Sequence, residues 1–180
     1  MTDKIIMNKK SISRVIISLL VVVGIMVMIF LFSTQNVTTS DGLSMKVARI
    51  LAKVITKICE LFPASGTAPL ETKPGNFLAD LNHYIRKGAH LSEYALLGGA
   101  LTWHLKEGLT FRGKTLNISN VLLVLPIGAL YAASDEFHQL FVEGRGAQIK
   151  DVIIDTIGVM LGIGIVILMI HIRAKKKRIE

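Results

Sequence analysis

From Val15 to Phe32 the chain reads VIISLLVVVGIMVMIFLF, eighteen residues without a charge. A run of that length crosses the hydrocarbon core of a bilayer as a helix. Lys4, Lys9, Lys10 and Arg14 precede it, and the following STQNVTT offers no small-x-small cleavage pattern. The expectation is therefore a basic leader over 1–14 and a retained anchor over 15–32 rather than a cleaved signal peptide. Between Leu43 and Phe62 the pattern changes. Val47, Ile50, Leu51, Val54, Ile55, Ile58, Leu61 and Phe62 recur at helical spacing, with Lys46, Arg49, Lys53 and Lys57 on the other side. This predicts an amphipathic helix over 43–62 that lies in the membrane interface or else caps the outer face of a bundle. The stretch PASGTAPLETKPGN (63–76) carries three of the four prolines and reads as loop. Residues 33–87 thus form one long connection carrying that helix.

Three further apolar stretches predict spans over about 88–105, 118–141 and 150–172, with a basic tail over 173–180. Lys and Arg flank the start of the first span and the end of the fourth, and Lys106, Arg112 and Lys114 sit between the second and third. Four spans with both termini cytoplasmic satisfy all three groups of charges, and the long connection over 33–87 is then extracytoplasmic. The predicted class is an all-α integral membrane protein: a four-transmembrane-helix bundle with an extracytoplasmic amphipathic interfacial helix.

Composition supports this class. Of 180 residues, 51% are hydrophobic, and the mean hydropathy is +0.54. A single soluble core of this size cannot bury so much apolar surface. The net charge of +8 raises nucleic acid as a partner, but the cations gather at the termini and beside apolar runs. There they set topology and meet anionic lipid, and no basic surface with interleaved aromatics is present, so nucleic acid is excluded as a partner. One cysteine, Cys59, excludes an intramolecular disulfide and a CxxC metal site.

The topology brings charges together. Span two starts, span three ends and span four starts at the outer surface, so Arg86, Lys87, His90 and Glu93 meet Asp135, Glu136 and His138, and then Arg145, Lys150, Asp151 and Asp155. The inner halves of the spans offer few polar groups. At 100° per residue, Arg86, His90, Glu93 and Leu97 fall on one stripe, Tyr131, Asp135, His138 and Gln139 on a second, and Asp151, Asp155, Gly158 and Gly162 on a third. An apolar span gains roughly 6–12 kcal/mol on insertion, while each central charge costs about 2.5–3.5 kcal/mol, so such groups must lie near the interface, turn inward or pair. Intramembrane ionisable groups mark functional sites by default. The bland alternative is a set of ion pairs, Arg145 with Asp135 or Glu136 and Lys87 or Lys150 with Asp151, that staples the helices together. The Gly158-x-x-x-Gly162 half of the third stripe suits close helix approach, within the chain or between copies, and leaves the oligomeric state open. His90-x-x-Glu93, Asp135-x-x-His138 and Asp151-x-x-x-Asp155 also have residue types that suit a divalent metal, although no cofactor is predicted. No G-x-S-x-G, H-E-x-x-H or Walker loop is present.

Three blocks, RKGAHLSEYALLGGAL (86–101), YAASDEFHQLFVEGRG (131–146) and KDVIIDTIGVMLG (150–162), together resemble the VanZ-like family of bacterial membrane proteins. Lys87, His90, Glu93, Tyr94 and Gly98 carry the resemblance in the first block. Ser134, Asp135, Glu136, His138, Gln139, Phe141, Gly144 and Arg145 carry it in the second, and Lys150, Asp151, Gly158 and Gly162 in the third. It covers roughly 84–165; where this chain has Asp155 the family pattern usually has Asn. The resemblance implies a multi-pass protein of the bacterial cytoplasmic membrane, in a family whose founding member is associated with antibiotic resistance, namely to the glycopeptide teicoplanin.

Two functions are expected from these residues. In one, an outward-facing polar pocket binds a lipid-linked or anionic envelope ligand through Arg86, Lys87, Tyr94, Gln139, Arg145, Lys150, Asp151 and Asp155. In the other, the protein is an enzyme on a lipid-linked cell-wall precursor, with His90, Glu93, Asp135, Glu136 and His138 as acid–base or metal-binding groups. A proton-coupled transporter needs a polar path through the bilayer, which the inner halves do not supply.

Overall fold

The computed structural model describes residues 9–34, 37–61, 74–142 and 146–176, and the described residues are almost entirely helical. The elements are α1 (Lys9–Ser33), α2 (Val37–Leu61), α3 (Pro74–Phe111), α4 (Ile118–Leu122), α5 (Val124–Gln139) and α6 (Ile149–Lys176). Residues 1–8 of the expected leader (1–14), most of the loop over 63–76 and the end of the tail lie outside the described residues, as do Arg145 and the side chain of Cys59. Among the described residues, three helical stretches are long and apolar enough to cross a membrane, Ser11–Ser33, Ile118–Gln139 and Ile149–Lys176.

α3 differs most from the expected span over 88–105. Its 38 residues begin at Pro74, well inside the expected connection. At 1.5 Å per residue it is about 57 Å long, nearly twice the hydrocarbon thickness. The additional turns pack against α2, where Leu78 lies beside Ala52 and Thr56. Proline at the first helical position needs no amide partner, so Pro74 starts the helix readily. The other end closes where Gly113 adopts φ 67°, with its amide on the Thr110 carbonyl and that of Lys114 on Leu109. That pair of bonds is a Schellman stop, and its positive φ is a conformation only glycine adopts without strain.

The third expected span, 118–141, is two helices. Pro126 has no N–H to donate to the carbonyl of Leu122, four residues back, and the chain turns at Leu123. Asn117 caps α4 by accepting the Asn120 amide at 2.9 Å.

α3 is the central element, packed most extensively against α6, then α1, and also against α5 and α2. Its partners shield it from the surroundings, which accounts for its lower apolar content than α1 and α6. Gly158, Gly162, Gly98 and Gly99 make the α3–α6 contact. A Cβ at Gly158 would meet the Leu91 carbonyl, one at Gly162 the Ala95 carbonyl, and one at Gly98 the Val159 backbone. The G-x-x-x-G stripe therefore serves packing within the chain. These contacts ascend together along both helices, so α3 and α6 run parallel. α1 is antiparallel to α3, as its Ser18 near the N-terminus meets His104 near the C-terminus of α3.

α1 belongs to the bundle rather than standing off as an anchor, and it buries Val22 and Ile29 in the core with Tyr94, Leu97, Ala132 and Val159. The Tyr131 hydroxyl donates to the Met26 carbonyl at 2.6 Å, tying α5 to α1. Tyr131→Phe should cost about 1 kcal/mol of stability, the usual net worth of a neutral hydrogen bond, as read from thermal unfolding in detergent. α2 packs on α3 through the buried Ser44 and Ala48, leaving Lys46, Val47, Ile50, Leu51 and Val54 exposed, while Arg49, Lys53 and Lys57 line a groove together with Leu78 of α3.

Candidate functional site

The predicted stripes do face one another, at the end of the bundle where α5 finishes and α6 begins. On α3, Tyr94 and Leu97 are fully buried, while Arg86, Lys87, His90 and Glu93 are half-buried. On α5, Asp135, Glu136 and Gln139 are buried, so the carboxylates of span three turn inward. On α6, Asp155 has no exposed surface at all and Asp151 is partly open.

Because α3 and α6 run parallel in register, residues at equal heights pair. The Lys87 ammonium donates to the Asp151 carboxylate. One turn deeper, His90 Nδ1 stands 3.9 Å from Asp155 Oδ1, close enough for attraction but too far for a hydrogen bond. On α5, Gln139 donates to Asp135 at 3.4 Å. The Glu136 carboxylate accepts the Gln148 amide at 2.9 Å, and the Gln148 carbonyl in turn accepts the Asp151 amide. Glu136 therefore fixes where α6 starts. The Tyr94 hydroxyl lies by Asp135, and its ring is 6.3 Å from that of Tyr131. Glu93, Asp135 and Glu136 all lie within electrostatic range of Asp155, and Lys87 is the cation among its neighbours.

The result is a floor and a rim. Tyr94, Asp135 and Asp155 form the buried floor. Lys87, His90 and Asp151, with side chains 23, 25 and 20% exposed, form the rim. Neither oxygen of Asp155 has a hydrogen-bond partner among the described residues, and the same holds for the buried Nε2 of His138. Carboxyl oxygens sealed from water without donors cost about 1–3 kcal/mol or more, so this one is held in place by its surroundings. The cleft described below lies elsewhere, at the opposite end of the bundle. No group of three His, Cys, Asp or Glu side chains among the described residues is placed to hold a metal ion. Of the expected cations, Lys87 is bound to Asp151 and Lys150 is exposed at the start of α6.

Removing one partner of the Lys87–Asp151 pair should be costly and exchanging both should not. Lys87→Met is expected to lose about 1.5–3 kcal/mol, the worth of a hydrogen bond to a charged group, and the Lys87→Asp/Asp151→Lys exchange to recover most of it. A double-mutant cycle on thermal unfolding measures the coupling.

Two features escaped sequence reasoning. Phe30 of α1 closes one side of the site, its ring 4.7 Å from the His138 imidazole and tilted by 35°. Its place in an unbroken apolar run gave no signal. At the opposite end, contrary to the expectation of few polar groups there, Glu107 is buried between Lys106 at 3.1 Å and Arg14 at 3.7 Å. His104 Nδ1 also pairs with the Ser18 hydroxyl at 2.9 Å. Lys106 and Glu107 sit in the last turns of α3, which continue past the expected span.

No curated protein and no solved structure matches the chain. A family model described as VanZ/LLP1 matches residues 18–170, reaching well beyond the three motif blocks to include α2 and the greater part of α1. With the blocks now converging on one end of a helical bundle and the match extending over most of its length, the chain belongs to the VanZ-like family of membrane proteins.

Proposed function

We propose that this is a four-span protein of the bacterial cytoplasmic membrane, with both termini cytoplasmic, whose polar end binds the headgroup of a lipid-linked envelope ligand. The alternating directions of α1, α3, α5 and α6 support the span count, with α3 as the shielded fourth span. The exposed apolar stripe of α2 supports a seat in the outer interface for that helix.

One observation carries the binding reading: the Asp155 carboxyl is fully buried, lacks donors, and lies one turn below a partly exposed rim. A staple would satisfy both of its oxygens. A site for a ligand keeps acceptors ready for the ligand's own N–H and O–H groups, and sugar and peptide headgroups are rich in these. Entry past His90 replaces a 3.9 Å approach with true hydrogen bonds. The geometry favours donors over anions as the recognised groups, because Lys87 is already engaged by Asp151.

In the family context this binding contributes to teicoplanin resistance. Expressed in a susceptible host, the chain should raise the inhibitory concentration of teicoplanin, and Asp155→Leu should remove that increase at equal membrane abundance. A variant that protects as well as the wild type defeats the proposal. The second reading, acid–base catalysis on a lipid-linked precursor, is favoured by the His90–Asp155 approach. It predicts that His90→Asn abolishes turnover of such a precursor while leaving its binding unchanged.

A further inference from the structure

α1 and α6 flank α3 on one side without closing over it. Between them lies a cleft of about 460 Å³, floored by Gly99 and Ala100, with Ile17 and Val21 on one wall and Val166 and Met169 on the other. The floor is low because these two α3 residues are small. A Cβ at Gly99 would make only ordinary contacts, 3.5 Å from Val166 and 3.6 Å from the Gly162 carbonyl, so space remains above it. Both walls belong to helices of membrane-crossing length. The medium outside the cleft is therefore hydrocarbon.

The cleft has one polar end. Trp103 and Glu107 line it there, with Arg14 across from them. Lys106 Nζ stands 4.2 Å from the centre of the Trp103 ring and the Arg173 guanidinium 5.8 Å from it. Glu107 is opposed by both Lys106 and Arg14, so the three cations leave this rim net positive. The Arg14 side chain is 58% exposed and approaches Glu107 through Nε at 3.7 Å, too far for a hydrogen bond, so Glu107 does not use up its N–H donors. An apolar slot that ends in guanidinium donors matches an acyl chain that ends in a phosphate.

We propose that this cleft seats one acyl chain of a membrane phospholipid, with the lipid phosphate on Arg14. The site lies at the opposite end of the bundle from the Asp155 cluster and is independent of the function proposed for it.

Trp103 is the single tryptophan in the chain and lines the cleft, so its fluorescence reports the occupant directly. The full-length protein is reconstituted in vesicles containing increasing fractions of phosphatidylglycerol brominated in mid-chain. A seated chain quenches Trp103 along a saturating curve that is half-complete at a low mole fraction. Ala100→Phe, which fills the floor, should remove the saturating part, and Arg14→Gln should weaken it and abolish any preference for phosphatidylglycerol over phosphatidylcholine. Inorganic phosphate in the buffer should leave the curve unchanged, because a headgroup without its chain does not fill the slot. Quenching that rises in simple proportion to brominated lipid overturns the proposal, since bulk lipid alone produces it. The wild-type titration decides this even if Ala100→Phe fails to fold. Saturating quenching that is identical in wild type and a folded Ala100→Phe overturns it as well.

Discussion

Gly162→Leu should prevent the bundle from assembling. A Cβ at this position would occupy the space of the Ala95 carbonyl and crowd the Gly99 amide, both of them backbone groups that cannot rotate away. Inserting methylenes into a packed core commonly costs about 1–3 kcal/mol, and that range supposes that side chains can adjust. Here the only relief is to part α3 from α6, which would open the largest contact in the molecule and also separate the Lys87–Asp151 and His90–Asp155 pairs. Gly162→Ala should already lose at least about 1–3 kcal/mol, and Gly162→Leu should leave no cooperative unfolding transition in detergent. Gly164 is the internal control. Nothing lies within 4 Å of a Cβ built there, and Gly164→Ala should be neutral or gain up to about 1 kcal/mol from helix propensity.

Asp155→Leu should behave in the opposite way, abolishing function while holding or raising stability. A buried group without hydrogen bonds costs about 1–3 kcal/mol, and replacing it by an apolar side chain of comparable size recovers that cost. Asp155 is fully buried near Tyr94, so a leucine there meets protein rather than water. If the carboxyl only held the helices together, the same change would lower the unfolding temperature, as removal of one member of a satisfied buried pair does. Asp155→Asn keeps the shape with both a donor and an acceptor. It should stay folded and retain a larger part of the function than Asp155→Leu. A ligand acceptor and a helix staple thus separate on the sign of one temperature shift.

The long apolar runs made α1 and α6 legible in the sequence, because a stretch as long as 15–32 or 156–172 without Asp, Glu, Lys or Arg has few other folded fates. The start of α3 was not legible. Residues 74–87 are polar, and their helix is held by α2, a tertiary contact that periodicity within the segment does not report. The break at Leu123 was marked by Pro126, but hydropathy carried straight through it.

At the site, the three stripes followed from 100° arithmetic alone, since which residues share a helix face is a local property. Their pairing was not local. Lys87 meets Asp151 and His90 meets Asp155 only because the glycine contacts set the height of α6 against α3. Glu107 was overlooked for a related reason. In sequence it resembles the polar end of a loop, and burial comes from α1 lying beside the last turns of α3.

Direct binding of a lipid-linked disaccharide–peptide precursor to the protein in nanodiscs tests the central claim, that the buried Asp155 carboxyl is a ligand acceptor. Saturable binding by the wild type, lost in an Asp155→Leu variant that unfolds at the same or a higher temperature, is the result expected. Equal binding by the two proteins, or none by the wild type, would contradict it.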